Sequence, residues 1–461
     1  MLLKNKLKKL KIDLNSDNIL YTEEECYCYA SDASNIIKET TSPDLVVFVE
    51  TIEDVQKVLK YAYVHEIPVI SRGAGTNMVG ACVCNSGGII LNFSKMNKII
   101  DINTKNLTAT VQPGLVLAKL KNEVDKAGLY FPPDPSNYQV STIGGAIAQS
   151  SGGASSFKYG TTKDYVLSLK VVTSDGTLMK IGTDTIKDAT GYHLAQLMVG
   201  SEGTLAIIVE ATLKLIPKPE QKKSVSAYFD KIEDAILAVD LIIAEHIFPT
   251  AIDFMDKNAI KTVEDFSHCG LNTSKEGMLL IEIDGFESSI PSQMQKLTSI
   301  LEKHNVTDIK ISNTEAEAQE IWKARRASFA ATARLAPDVL SDDLIVPRMK
   351  LGEMVKRCNE IAKRRNLKMC LIGHVGDGNL HPQVALNLEN ELEFTNYMEA
   401  KAEMYKAAIE LGGTISAEHG IGLEKKAYLK NTIDNSSIEY MKMIKRIFDP
   451  KNILNPGKIF D

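Results

Sequence analysis

Three segments in the first half of the chain constrain its fold most, because they contain few side chains that could fill a core. They read SRGAGTNMVG (71–80), FPPDPSNYQVSTIGGAIAQSSGGASSFKYG (131–160) and GSEGTL (200–205). Ordering such a backbone costs conformational entropy that little side-chain burial offsets. Backbone N–H groups of consecutive small residues can converge on one anion. The three segments together therefore favour one extended cofactor groove over three unrelated tight loops.

The first segment does not match the two best-known phosphate-binding motifs. Its third glycine is misplaced for a dinucleotide fingerprint, and the strand-like run GGIILNF follows it where that motif needs a helix. The Gly-Lys-Ser/Thr of a P-loop is also absent. We therefore expect a phosphate-binding loop of another kind, in a different fold.

Composition and cysteine spacing indicate a globular protein without a transmembrane segment. The 461 residues are 44% hydrophobic and 24% charged with a net charge of −6, which predicts two or three globular domains and gives no reason to expect nucleic acid as a partner. The seven cysteines contain no C-x-x-C pair, so we expect free thiols in a reducing compartment. The first residues, MLLKNKLKKLKIDL, predict a short surface helix, and no apolar run is long enough for a transmembrane segment, so we expect a cytoplasmic protein.

Periodicity predicts an α+β chain in two parts. A helix is expected from Thr51, with Asp54 completing its N-terminal cap, and Asp175-Gly176 predicts a hairpin turn. The charged run 217–223 contains two prolines and predicts a linker. We therefore place a first domain at 1–217, with its core from about residue 40, and a second at 218–461.

Two histidines and a glutamate in glycine-rich loops form a candidate metal site. His374 and His381 flank a glycine-containing turn, and a strand–turn–strand would bring their imidazoles together. Glu418 lies in a second such loop, next to His419. Imidazole and carboxylate suit Zn²⁺, Fe²⁺ or Mn²⁺, and spacing alone does not choose among these metals or exclude ordinary core or surface residues.

Several long motifs, in order, resemble a known family. The three glycine-rich segments resemble the FAD-binding domain of the vanillyl-alcohol oxidase (PCMH) type. The second half resembles the FAD-linked oxidase C-terminal, or cap, domain through IWKAR (321–325), HVGDGNLHP (374–382), SAEHGIG (416–422) and NPGKIF (455–460). Together they resemble the family of the glycolate oxidase subunit, D-lactate dehydrogenase and D-2-hydroxyglutarate dehydrogenase. The resemblance also implies that the C-terminal tail returns to the FAD domain.

The resemblance implies which residues bind FAD. The implied set is Arg72, Gly73, Ala74, Gly75, Thr76, Asn77, Pro133, Asp134, Ser136, Ser141, Thr142, Gly144, Gly145, Gly152, Gly153, Tyr159, Gly160, Gly203 and Ile207. Some relatives attach FAD covalently through a histidine in the first glycine loop. This chain has no histidine between His65 and His193, so non-covalent FAD is expected.

The resemblance also implies roles in the second half. A divalent metal is placed on His374, His381 and Glu418, and His419 becomes the general base. Arg325 is assigned to the substrate carboxylate, although Arg326 is adjacent and a helix-surface arginine is the ordinary alternative. Gln383 and Ser341 stand where some 2-hydroxyglutarate relatives carry Asn and Lys, which indicates a substrate without a second carboxylate.

The implied activity is FAD-dependent oxidation of a D-2-hydroxy acid by metal-assisted hydride transfer to flavin N5. The first candidate reaction is the oxidation of D-lactate to pyruvate. Glycolate and D-2-hydroxyglutarate are the alternative substrates. The implied electron acceptor is an electron-transferring flavoprotein with α and β subunits, and some such assemblies imply electron confurcation with NAD and ferredoxin. Two hypotheses of other functional classes remain. In a metal-dependent hydrolase or lyase, the substrate would leave the flavin spectrum unchanged. In a non-catalytic flavoprotein subunit, His419→Ala would leave the complex active.

Overall fold

A computed structural model describes residues 16–37 and 40–460, so the helix predicted at 1–14 lies outside the described residues. The chain divides into two compact units. Unit 1 comprises the chain up to Ser151, Thr161–Lys218 and the segment from Glu418 onward, and unit 2 comprises Gly152–Gly160 and Pro219–Ala417. The short excursion Gly152–Gly160, which the sequence placed in the first domain, thus makes its contacts within unit 2.

The strands are β1 (Ile19–Leu20), β2 (Leu45–Phe48), β3 (Val69–Arg72), β4 (Ile89–Asn92), β5 (Ile99–Asn103), β6 (Thr108–Val111), β7 (Leu129–Tyr130), β8 (Val166–Val172), β9 (Leu178–Gly182), β10 (Ile207–Lys214), β11 (Ile216–Pro217), β12 (Gln221–Phe229), β13 (Ala251–Asp256), β14 (Gly277–Gly285), β15 (Val306–Ile311), β16 (Asp338–Ser341), β17 (Leu344–Ile345), β18 (Lys368–His374) and β19 (Asn379–Leu386). The α-helices are α1 (Glu23–Tyr27), α2 (Ile52–His65), α3 (Leu117–Lys126), α4 (Ile143–Gln149), α5 (Ser156–Tyr159), α6 (Leu194–Met198), α7 (Ile232–Ala244), α8 (Lys257–Ser267), α9 (Ile290–Lys303), α10 (Glu315–Thr332), α11 (Leu351–Arg364), α12 (Glu391–Glu410), α13 (Lys426–Leu429) and α14 (Asn435–Phe448). Short 3₁₀ turns lie at Ser16–Asn18, Thr162–Asp164, Glu287–Ser289 and Arg348–Lys350.

Unit 1 contains two larger sheets. The first has the order β1-β2-β4-β3, with β2, β4 and β3 parallel, and the second is antiparallel with the order β5-β6-β10-β8-β9. Helix α2 begins at the predicted Thr51/Asp54 capping box, and its Val55, Val58 and Leu59 are fully buried in the core beside the first sheet. Its apolar residues recur at helical spacing, so one face of the helix packs inward.

The predicted hairpin at Asp175-Gly176 joins β8 to β9 and is confirmed. Gly176 has a φ of 84°, the left-handed conformation that such a turn requires. All seven cysteines are free thiols, as expected. None of the helices within residues 16–37 and 40–460 has the length and hydropathy of a membrane-spanning segment.

Unit 2 is built on one antiparallel sheet with the order β15-β12-β14-β13-β18-β19-β16, and β17 also pairs with β19. The prediction of a linker through residue 223 is wrong at its end, because β12 begins at Gln221. Gln221 pairs with Gly285 on β14, and Lys222 forms an ion pair with Glu282. Cross-strand pairing satisfies this polar backbone and outweighs its loop-like composition.

One face of the central sheet carries the polar residues of interest. Strand register places Asp253 directly opposite His374, and Ile372 opposite His381, so these side chains share a face. Helices α8 and α10 pack against this face through a buried cluster that includes Ile260 and Ile321. The sheet therefore positions these polar residues beneath a helical layer.

Candidate functional site

A groove lies in unit 1 beside the carboxyl end of strand β3. It encloses about 1200 Å³ of empty space, part of which is open to solvent. Its lining includes the predicted FAD-binding residues Arg72, Gly73, Ala74, Gly75, Thr76, Asn77, Ser136, Ser141, Thr142, Gly144, Gly145 and Gly203, together with Glu418 and His419. Ligands of open sheets that contain parallel strands commonly bind at this end of the strands.

The first glycine loop offers unused backbone donors. Within the described part of the chain, the N–H groups of residues 73–78 donate to no protein acceptor. The Arg72 guanidinium is held beside the loop by the carbonyl of Ser31, at 2.7 Å, and by the ring of Tyr29. Gly75 has a φ of 73°, and a Cβ there would collide with the Arg72 guanidinium. Converging N–H groups beside a fixed positive charge suit a pyrophosphate.

Two buried polar atoms along the groove support binding of a polar cofactor. Ser141 Oγ and Gln149 Oε1 are buried and have no hydrogen-bond partner among the residues that the structure describes. Buried polar atoms are normally paired, so these two suggest a ligand or ordered water as partner. The residues present therefore fit FAD, whose phosphates, hydroxyls and ring N–H need such groups.

Seven predicted FAD-binding residues do not line this groove. Pro133 and Asp134 are absent from its lining, which contains Pro135 and Asn137 on either side of the predicted Ser136. The side chain of Ile207 lies in the hydrophobic core, because neighbours in a strand alternate and Ala206 and Ile208 line the groove. The other four residues are Gly152, Gly153, Tyr159 and Gly160, which belong to unit 2.

A buried aspartate holds the Gly152–Gly160 excursion. Asp284 accepts hydrogen bonds from the Tyr159 hydroxyl at 2.9 and 3.0 Å and forms an ion pair with Lys158. Lys158 also donates to the main-chain carbonyl of Asp284 at 2.7 Å. These long-range contacts explain why the excursion is part of unit 2, since nothing in its own local sequence specifies them.

Glu202 lines the groove and holds the turn that follows the predicted base. Its carboxylate accepts the backbone N–H groups of Ile421 and Gly422 at 2.7 and 2.8 Å. Burial raises the pKa of Glu202 to about 7, against the lowering effect of these two hydrogen bonds and of two lysines. Asn77 donates to the carbonyl of His419 at 3.4 Å, so both sides of the predicted base are tied down.

The C-terminal tail completes this arrangement within unit 1. The Asn455 amide donates to the carbonyls of Ala81 and Glu202, both at 2.7 Å. The buried Lys458 ammonium donates to the Val83 carbonyl at 2.7 Å, and desolvation lowers the pKa of Lys458 to about 8. The tail therefore stabilises Ala81 and Glu202, which both line the groove.

In unit 2, the hairpin of β18 and β19 brings the two predicted metal-binding histidines together. The ring centroids of His374 and His381 are 5.3 Å apart, and both side chains are buried. His374 Nδ1 lies 2.7 Å from Asp253 Oδ1, and His381 Nδ1 lies 3.1 Å from the Asp342 carbonyl. With each Nδ1 directed to an oxygen, Nε2 is the ring atom that would bind a metal.

Arg325 lies beside this pair, whereas Arg326 does not. Arg325 Nε donates to Asp253 Oδ2 at 2.6 Å, while Arg326 is exposed and bonds the Gln319 carbonyl on its own helix. Burial would raise the pKa of Asp253, but His374 and Arg325 together hold it below its usual range. Both hydrogen-bond partners therefore favour the ionised form of this carboxylate.

A second carboxylate, Asp343, links the hairpin to the segment at residues 416–417 by hydrogen bonds. Asp343 accepts from the Asn379 amide at 2.9 Å, from the Ser416 hydroxyl at 2.8 Å and from the Ala417 N–H at 2.7 Å. His381 Nδ1 lies 4.0 Å from Asp343 Oδ1. The donor set of imidazoles and carboxylates suits a divalent metal; Glu418, the predicted third ligand, belongs to unit 1.

Sequence reasoning missed Glu202, Asp253 and Asp343. A signal existed for Asp253, because an acidic residue alternates with apolar residues in the buried strand AIDFMD. Glu202 sits in the third glycine-rich segment, where only Gly203 was selected. Asp343 carried no local signal, since its partners lie 36 to 74 residues away.

These features define the class: a two-unit protein with a groove suited to FAD in unit 1 and a histidine–carboxylate–arginine cluster in unit 2. Residues 43–182 match the family described as "FAD binding domain", and residues 218–459 match "FAD linked oxidases, C-terminal domain". The chain therefore belongs to the FAD-linked oxidase family, and the predicted α+β fold class is confirmed.

Named relatives resemble the chain over nearly its full length. It is 40% identical to the glycolate oxidase subunit GlcD of Bacillus subtilis (strain 168), covering 97% of this chain and 93% of that protein. It is 34% identical to a D-lactate dehydrogenase of Anaerostipes hadrus, covering 97% and 93%. A D-2-hydroxyglutarate dehydrogenase of Stutzerimonas stutzeri (strain A1501) is 30% identical, with 98% of each covered. The chain is an FAD-linked oxidoreductase of a family that acts on 2-hydroxy acids.

Solved structures agree on the fold alone. The chain superposes on p-cresol methylhydroxylase with substrate bound at a TM-score of 0.84 and 16% identity, covering 100% of this chain and 97% of that one. It superposes on alkyldihydroxyacetonephosphate synthase at a TM-score of 0.77 and 20% identity, covering 98% and 84%. At these low identities the similarity establishes the fold and gives no evidence of a shared function.

Proposed function

We propose that the protein oxidises a short D-2-hydroxy monocarboxylate to the 2-oxo acid, with D-lactate as the first candidate. The observation that carries this proposal is the cluster of the partly buried Arg325 with the buried His374 and His381, in a chain that belongs to an FAD-linked oxidase family. An arginine suits a carboxylate, and paired imidazoles suit a metal that binds a hydroxyl. Glycolate is the second candidate, favoured by the 40% identity to a glycolate oxidase subunit.

Each residue has a proposed task. Arg325 binds the substrate carboxylate through its guanidinium, and His374 and His381 hold a divalent metal with Glu418 as the third ligand. His419 takes the proton from the substrate hydroxyl, since an imidazole suits a base near neutral pH. When bound, FAD supplies the hydride acceptor and the metal supplies Lewis acidity. Zn²⁺, Fe²⁺ and Mn²⁺ all suit the donor set.

Two neighbouring residues support the proposed size of the substrate. Ser341 and Gln383, which replace a Lys and an Asn of some 2-hydroxyglutarate relatives, are direct cross-strand partners on β16 and β19. Gln383 is buried and accepts from the Thr332 hydroxyl at 3.0 Å. Neither residue offers a positive charge for a second carboxylate. This pairing supports a monocarboxylate.

The decisive experiment is the visible spectrum of the anaerobic protein reconstituted with FAD and Zn²⁺, Fe²⁺ or Mn²⁺. We expect D-lactate to bleach the flavin faster than glycolate, L-lactate or D-2-hydroxyglutarate. Bleaching by D-2-hydroxyglutarate alone would refute the proposed size, and an unchanged spectrum with all four acids would favour the hydrolase or lyase reading. His419→Ala should abolish bleaching while the flavin remains bound, which separates this proposal from a non-catalytic subunit.

We further propose that electrons leave to an electron-transferring flavoprotein. The support is the lack of nicotinamide fingerprint and cluster-type cysteine motifs in the sequence. The reduced protein, mixed anaerobically with oxidised electron-transferring flavoprotein or with a quinone analogue, should reduce the flavoprotein faster. Faster reduction of the quinone would refute the partner, and with it the coupling to NAD and ferredoxin.

A further inference from the structure

Asp253 is a buried carboxylate to which the proposed function assigns no task. It lies on β13 directly opposite His374 on β18, and its side chain is fully buried. An ionised carboxylate in such a place is costly unless every oxygen is paired. The partners of its two oxygens therefore reveal why it is there.

The first oxygen of Asp253 faces the metal-type histidine. Oδ1 lies 2.7 Å from Nδ1 of His374. A carboxylate at this distance accepts a hydrogen bond, so the ring proton is placed on Nδ1 and the metal-binding electron pair on Nε2. The same contact sets the plane of the imidazole ring.

The second oxygen of Asp253 holds the candidate carboxylate receptor. Oδ2 accepts from Arg325 Nε at 2.6 Å. Among residues 16–37 and 40–460, the terminal nitrogens of the guanidinium make one long contact, 3.5 Å from Nη1 to the Ser328 hydroxyl. Because the Nε edge is occupied, the outer edge with Nη1 and Nη2 is the edge that would meet a substrate carboxylate.

We propose that Asp253 is a positioning residue that aligns metal recognition and substrate-carboxylate recognition at the same time. One side chain fixes the tautomer of His374 and the orientation of the Arg325 fork, so a change at Asp253 weakens both kinds of binding. This inference rests on the proposed function. It adds that the two binding events are coupled through one buried carboxylate, whereas two independent sites would lose one affinity at a time.

The test compares Asp253→Asn with a matched control, Asp256→Asn. Asp256 is buried on the same strand but caps helix α8 through the Ala259 N–H, so asparagine should replace it well. Two binding constants are measured without turnover. These are Zn²⁺ affinity of the metal-stripped protein, by competition with a chromophoric chelator, and affinity for propionate, a carboxylate without the reacting hydroxyl, from the flavin spectrum.

We expect Asp253→Asn to lower Zn²⁺ affinity 10- to 100-fold, the range for a residue that orients a metal ligand, and to weaken propionate binding about tenfold. Asp256→Asn should leave both within twofold. Loss of only one affinity, or equal losses in both variants, would overturn the proposal. If Asp253→Asn does not fold, Asp253→Glu, which keeps the charge but displaces it, should show the same double loss.

The outcome separates this inference from the proposed function. Unbleached wild-type flavin with every 2-hydroxy acid would refute the proposed function without affecting the two binding measurements. Unchanged affinities in Asp253→Asn, in a wild-type protein that D-lactate bleaches, would refute only the role of Asp253. A wild-type protein that binds neither Zn²⁺ nor propionate would overturn the inference itself.

Discussion

Replacing Glu202 by glutamine should remove one part of the pH dependence of stability. The Glu202 carboxyl is fully buried on the groove wall, where desolvation raises its pKa from 4.5 to about 7. Because the folded pKa lies above the unfolded one, the folded protein holds this proton more tightly. The contribution of Glu202 to stability is therefore complete below about pH 4.5 and is lost as the pH rises through about 7.

The size of the effect follows from the difference in pKa. A difference of roughly 2.5 units corresponds to about 3 kcal/mol, of which roughly 2 to 3 kcal/mol falls between pH 5 and pH 8. Glu202→Gln cannot ionise. The stability of the wild type relative to this variant should therefore fall by that amount between the two pH values, whatever constant cost the variant pays for its altered hydrogen bonds to Ile421 and Gly422.

The assay is urea unfolding of the FAD-bound protein at pH 5 and pH 8. Unfolding is monitored by the rise in flavin fluorescence as FAD is released. Other titrating groups, including the buried Asp256, are present in both proteins and cancel in the comparison. Glu53→Gln, at an exposed position in the first turn of α2, controls for the loss of one charge. A wild-type-minus-variant difference that is the same at both pH values would refute the reasoning.

Three further predictions concern the groove, the excursion and the substrate. Gly203→Val should weaken FAD binding at least tenfold, because its φ is +70° and a Cβ would lie 2.5 Å from a serine oxygen, whereas Gly191→Val, with positive φ but open space, should not; equal FAD affinities would contradict this. Asp284→Ala should destabilise unit 2 by about 3 kcal/mol and speed tryptic cleavage within 152–160, and an unchanged cleavage rate would argue against that anchor. The double change Ser341→Lys with Gln383→Asn should raise the kcat/KM ratio of D-2-hydroxyglutarate to D-lactate at least tenfold, and an unchanged ratio would dissociate these residues from substrate size.

Local patterns predicted much of the framework. The capping box at Thr51, the Asp175-Gly176 turn and the glycine loop after β3 each depend on residues within a few positions of one another. The same holds for the hairpin that pairs His374 with His381, whose turn needs only the glycines between them. Family resemblance added the assignment of FAD, which periodicity alone does not provide.

Other features were beyond local patterns. The start of β12 has the composition of a linker, and only its pairing with β14 makes it a strand. Ile207 is among the residues predicted to bind FAD, but strand alternation directs its side chain into the core. The excursion at 152–160 is held in unit 2 by Asp284, which lies more than a hundred residues further along the chain.

The sequence by itself determined where the caps, turns and glycine loops form, and which family the chain resembles. Only the tertiary structure decided that Glu202 holds the turn after His419, across 220 residues, and that Asp253 joins His374 to Arg325. The physical reason is that propensities and turn chemistry act over a few residues. The partner of a buried charge is set by which strands and helices pack together, so it depends on the whole fold.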